Sequence, residues 1–138
     1  MLGPAQLLTV IEYFRDDRPW KAHHTLNPTW DDVELAIRRM DNYCFPIVQL
    51  SQVGDEEDEN MFNVIGGAGR YAMFQLSGEW HYDDRSGRGG RVHLWESDQG
   101  YDCKERNVAT SFDQVLQIAR TFYETCDYSA LELLCGQA

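Results

Sequence analysis

Three side chains have types that could do chemistry together: His81, His93 and Cys103. If the segments that carry them pair as strands, two imidazoles and a thiolate could face one metal ion. A zinc site needs three or four such donors converging. The spacing does not add to that grouping, because the chain has no HExxH and no spaced Cys/His signature. His23 and His24 are neighbours, and successive side chains diverge. Cys103 stands between Asp102 and Lys104. A lysine lowers a thiol pKa and an aspartate raises it, so the pair does not activate the sulfur. There is no GxSxG elbow for a nucleophilic serine. The acids are so numerous that paired carboxylates arise by chance. The expectation is a protein with no catalytic residue, no cofactor and no metal.

The glycine-rich stretch "IGGAGRY" could suggest a phosphate loop. Such a loop must open a helix. Here "RYAMFQL" follows and is strand-like, so Gly66-Gly67-Ala68-Gly69 reads as the turn of a β-hairpin, where glycines supply positive φ.

Charge is the distinctive property. Among 138 residues there are 12 Lys and Arg against 23 Asp and Glu, a formal net charge of −11. A chain this acidic repels phosphate backbones and anionic lipid, which disfavours nucleic acid and membrane surfaces as partners. It favours a basic protein, because opposite charges speed encounter. The acids concentrate in "GDEEDEN", where Asp55, Glu56, Glu57, Asp58 and Glu59 are consecutive. Like charges on one turn repel, so the run reads as a solvated loop or a docking patch, while a calcium loop would need the Asp-x-Asp-x-Asp-Gly spacing that it lacks. Further acids, Glu79, Asp83 and Asp84, lie beside the aromatics Trp80 and Tyr82, and Glu96 follows Trp95. Trp and Tyr anchor protein interfaces well, having a large apolar ring and a polar tip. The four cysteines, Cys44, Cys103, Cys126 and Cys135, form no CxxC pair, and the N-terminus lacks the pattern of a signal peptide. With no apolar run long enough to span a membrane, the expected location is the cytoplasm, with reduced thiols.

The elements that must position these residues follow from periodicity. Leu7–Phe14 is β-branched and aromatic, a first strand. Residues 15–29 contain two prolines and little periodicity, a loop. Thr29 caps a helix whose Trp30, Val33, Ile37 and Met40 share one face. Phe45–Val53 is a second strand, followed by the glycine hairpin, a strand at Arg91–Ser97, a turn at Asp98-Gln99-Gly100 and a last strand in "YDCKERNVA". Thr110 or Ser111 caps a second helix with a broad apolar stripe from Phe112 to Tyr123. The tail adds one helical turn. The order predicts a single α+β domain over 1–138. It would have a mostly antiparallel sheet of five or six strands, with two main helices packed on one face.

The stretches "WDDVELAIRRMD", "NVIGGAGRYAMF" and "GRVHLWESDQGYDCKERNVATSFDQVLQIARTFYET" resemble small bacterial immunity proteins of polymorphic toxin systems, or close relatives of uncharacterised function, over about Trp30 to Tyr128. The resemblance rests on element order and texture, not on a mechanistic motif. It implies a single-domain, acidic, non-enzymatic inhibitor that binds a cognate toxin in the cytosol. The expected function is therefore blockade of a basic toxin domain by acidic turns and aromatic anchors. The partner-binding set is Asp55, Glu56, Glu57, Asp58, Glu59, Glu79, Trp80, Tyr82, Asp83, Asp84 and Glu96. Two other classes stay open: a metal- or small-ligand protein or enzyme using His81, His93 and Cys103, and a homodimeric adaptor joined through an exposed strand edge.

Overall fold

Alternating apolar residues in the N-terminal half make a sheet with two different faces. A computed structural model describes residues 4–14, 20–52, 59–84, 89–94 and 101–134. The main strands are β1 (Leu7–Glu12), β2 (Lys21–Leu26), β3 (Ile47–Ser51), β4 (Phe62–Gly67) and β5 (Arg70–Gln75). With β8 (Val108–Ala109) they form a six-stranded sheet in the order β2-β1-β3-β4-β5-β8. Every pairing in it is antiparallel. Among the described residues, strands β6 (Arg91–Leu94) and β7 (Tyr101–Lys104) pair only with each other.

The helices are α1 (Trp30–Arg38), α2 (Phe112–Thr125) and the short α3 (Tyr128–Glu132). Thr29 and Asp32 close a reciprocal capping box on α1, and Ser111 caps α2. Leu8, Val10, Val48, Leu50, Phe62, Val64, Tyr71 and Met73 point to one face of the large sheet. There they share a core with Val33 and Ile37 of α1 and Val115, Ile118 and Phe122 of α2. Phe62 stacks on Phe122 with ring centres 5.0 Å apart. The opposite face is partly covered by the β6–β7 pair: Ile65, Ala72 and Val108 meet Leu94 and Cys103, and Phe74 stacks on Tyr101 at 5.3 Å. No helix among the described residues is long and apolar enough to cross a membrane.

The α+β class, the antiparallel sheet and the two main helices on one face match the sequence expectation. Two assignments need correction. Residues 21–26, expected as loop, form β2. Its side chains are almost all exposed, so it carries no apolar alternation, and its place comes from backbone pairing with β1. The expected last strand is two strands in different sheets, broken by a 3₁₀ turn at Glu105–Asn107.

The glycine stretch does form the hairpin. Ala68 (φ +53°) and Gly69 (φ +91°) link β4 to β5. Gly67 serves a second purpose: Asp41 bridges to it, and a Cβ there would lie 2.7 Å from the Asp41 nitrogen.

Candidate functional site

The entrance to β4 and the exit from β5 lie side by side, because Phe62 pairs with Gln75. Beyond that pair the register continues through backbone bonds. Leu76 N–H donates to the Met61 carbonyl at 2.9 Å, and Ser77 N–H to the Glu59 carbonyl at 3.0 Å. These bonds bring Glu59 and Glu79, from two separate acidic stretches, to the same end of the sheet. The Gln75 side chain donates to the Asn60 side-chain carbonyl at 3.1 Å.

The junction of α2 and α3 closes the other side. Cys126 ends α2 in the left-handed region (φ +51°), which turns the chain sharply. Asp127 then caps α3, accepting from Ser129 N–H at 3.0 Å and Ser129 Oγ–H at 2.7 Å. Those two bonds hold the Asp127 carboxyl below its ordinary pKa, the Ser129 side chain contributing most. Tyr128 O–H donates to the Asn60 carbonyl at 2.6 Å, tying α3 to the start of β4. Between these walls is a cleft of about 430 Å³, lined by Asn60, Gln75, Glu79, Asp127, Tyr128 and Ser129 among others. Two carboxylates line it and no basic side chain does among the described residues. Such a cleft can accept an ammonium or guanidinium group, with amide and hydroxyl groups to bond its protons.

The sequence-predicted set distributes unevenly over this geometry. Glu59 and Glu79 are exposed and come together. Asp55, Glu56, Glu57, Asp58 and Glu96, and the turn at Asp98-Gln99-Gly100, lie outside the described residues. Trp80 and Tyr82 are corrected as surface anchors, being only 5% and 4% exposed. The Phe74–His81 bridge turns His81 outward, and alternation then drives both aromatic neighbours into the core. Trp80 packs on Phe62 and Tyr128, and Tyr82 O–H donates to Gln114 Oε1 at 3.1 Å. Asp83 is spent on Arg106, which grips it through Nε at 2.6 Å and a second nitrogen at 3.2 Å. Asp84 N–H donates to the Arg106 carbonyl, so this pair fastens the segment after β5 to the 3₁₀ turn.

The grouping of His81, His93 and Cys103 does not form. His93 pairs with Asp102, and Cys103 with Val92, so His93 and Cys103 face opposite sides of the small sheet. His93 Nδ1 lies 2.8 Å from Asp102 Oδ1 at the surface. Cys103 is buried, and burial pushes its thiol pKa up, with Arg91 opposing and Asp102 adding. No cluster of three metal-ligating side chains occurs among the described residues. The cleft residues that sequence reasoning missed, Asn60, Gln75, Asp127 and Ser129, are separated by up to 69 positions in the chain. Only Asp127, spaced from Ser129 as a helix cap, left a local signal.

Comparison with protein-family models gives no match, and comparison with curated proteins gives none. One solved structure shares the fold: "Crystal structure of a hypothetical protein from Neisseria gonorrhoeae", with a TM-score of 0.56 at 9% identity, covering 89% of this chain and 90% of that one. At that identity the likeness concerns the fold alone.

Proposed function

We propose that this chain is a non-enzymatic, immunity-type binding protein that blocks a basic toxin domain in the cytosol. The observation that carries the proposal is the acidic cleft. Glu79 and Asp127 line it, no cation does among the described residues, and Glu59 ends the acidic run at its edge. A net charge of −11 attracts a cationic partner over distance, and the cleft then seats a lysine or arginine of that partner. The partner's own anionic substrate would be excluded from the surface so covered. The anchoring role assigned to Trp80 and Tyr82 passes to the cleft walls, since both rings are buried.

The test is capture of partners from host lysate at low and at high salt, with the purified chain as bait. Retention at low salt of one basic protein carrying a toxin-like domain supports the proposal. Its loss when Glu59 and Glu79 are changed to Gln places the contact at the cleft; its loss when Asp55–Glu59 are changed to Asn and Gln assigns part of the contact to the acidic run. Retention unaffected by both salt and these changes rejects it.

An adaptor built from two copies also has a specific observation in its favour. Strand β2 ends the sheet, with Trp20 and Leu26 exposed along it. A dimer seen by sedimentation, lost on changing both residues to Lys, would establish that reading instead.

A further inference from the structure

At the β2 side of the sheet, away from the acidic cleft, a second groove of about 400 Å³ opens between α1 and the first two strands. Its floor is apolar: Leu8 and Val10 of β1 and Ala36 of α1, all buried. Leu35 and Phe45 form walls, and Leu35 is 59% exposed. The volume is that of a small-molecule site.

The charges around this floor are not equivalent. Glu12 is held by His23, with Oε1 2.9 Å from Nε2. Asp32 is committed to the capping box, accepting from Thr29 N–H at 2.9 Å. Arg39 has no carboxylate partner among the described residues. Its guanidinium lies over the Phe45 ring, 4.8 Å from the centroid. That contact holds the guanidinium against the ring, so that a bond from its N–H groups costs little further entropy. Phe45 is itself fixed, because Asp41 Oδ1 accepts the backbone N–H groups of Tyr43, Cys44 and Phe45 at 2.8 to 2.9 Å. The groove thus combines an apolar floor, two acids each with one oxygen already bonded, and one cation with no carboxylate partner among the described residues.

We propose that this groove binds a small amphipathic carboxylate, its apolar body on Leu8, Val10 and Leu35 and its carboxylate on Arg39. A ligand bearing a cation instead would meet Arg39 with like charge. A neutral ligand would leave the guanidinium partly covered with no acceptor. The inference is independent of the acidic cleft and of any toxin partner.

The experiment is an NMR titration of the whole 15N-labelled chain with octanoate and 3-phenylpropanoate, each beside its primary amide. Saturable shifts confined to the residues around Leu8, Val10, Leu35 and Phe45 are expected, with each amide about ten-fold weaker. Arg39→Gln should weaken the carboxylates by about the same factor and leave the amides unchanged. Arg39 is exposed, and a superimposable spectrum of the free variant establishes that it folds. Arg39→Lys, which keeps charge without the planar fork, should fall between. Absence of saturable shifts at millimolar ligand overturns the proposal, as does equal affinity for acid and amide. Shifts at Leu35 that follow protein concentration instead of ligand also overturn it and assign the groove to a contact between copies.

Discussion

Tyr128 donates a 2.6 Å hydrogen bond to the carbonyl of Asn60, across 68 positions of sequence. That bond sets the width of the acidic cleft, since it joins the helix on one wall to the strand entrance on the other. Tyr128→Phe keeps the ring against Trp80 and Phe122 and removes only the donor. We expect a loss of about 1 kcal/mol in unfolding free energy, measured by urea titration. Affinity for a cationic partner should fall at the same time, read by calorimetry.

Asp127 titrates low because Ser129 bonds its charged form through both hydroxyl and backbone N–H. A carboxyl with a depressed folded pKa contributes stability above its unfolded pKa, and that contribution disappears as pH falls through the folded value. Ser129→Ala should move the Asp127 carboxyl titration upward, toward the ordinary carboxylate range. Carbon-detected NMR of the side chain gives the direct readout. An unchanged titration would show that the Ser129 hydroxyl bond is not what holds the charge.

Trp80 separates a packing role from a binding role. It is buried against Phe62 and Tyr128, and its indole Nε1 has no hydrogen-bond partner among the described residues. Trp80→Ala should cost about 3–5 kcal/mol by leaving a cavity. Trp80→Phe removes the unsatisfied donor along with part of the ring, so it should cost much less. Denaturation of both variants decides this. A Trp80→Ala variant of undiminished stability would contradict the burial.

The hairpin turn offers opposite effects at adjacent positions. Ala68 holds φ +53°, where a β-carbon is strained, and Ala68→Asn should stabilise by about 1 kcal/mol. Gly67→Ala should destabilise by at least about 2 kcal/mol, because φ is +134° and the new Cβ would press on the backbone of Asp41 and Asn42. Thermal and urea unfolding of the two variants provide the comparison.

Cys103 should behave as an inert thiol. Burial raises its pKa, so folding favours the protonated form. The corresponding stability is fully present below the thiol's unfolded pKa and is lost as pH rises through the folded one. At mildly alkaline pH, alkylation followed by peptide mass mapping should modify the half-buried Cys44 well before Cys103. Faster labelling of Cys103 would reopen it as a nucleophile.

The elements legible in the sequence are those whose own side chains carry the period. The stripe from Phe112 to Tyr123 gave α2, Thr29 with Asp32 gave the start of α1, and the glycines gave the β4–β5 turn. The acidity that points to a basic partner is likewise a property of composition. Strand β2 was illegible because an exposed edge strand needs no apolar alternation, only a neighbour to bond with. The inward turn of Trp80 and Tyr82 depends on the Phe74–His81 bridge, and the opposed faces of His93 and Cys103 on the β6–β7 register. Glu79 and Asp127 line one cleft, with Glu59 at the same end of the sheet, only because strand pairing and a left-handed turn at Cys126 close distances that local sequence does not encode. Local preference acts over a few residues, whereas a cleft is fixed by which distant backbones satisfy one another's hydrogen bonds.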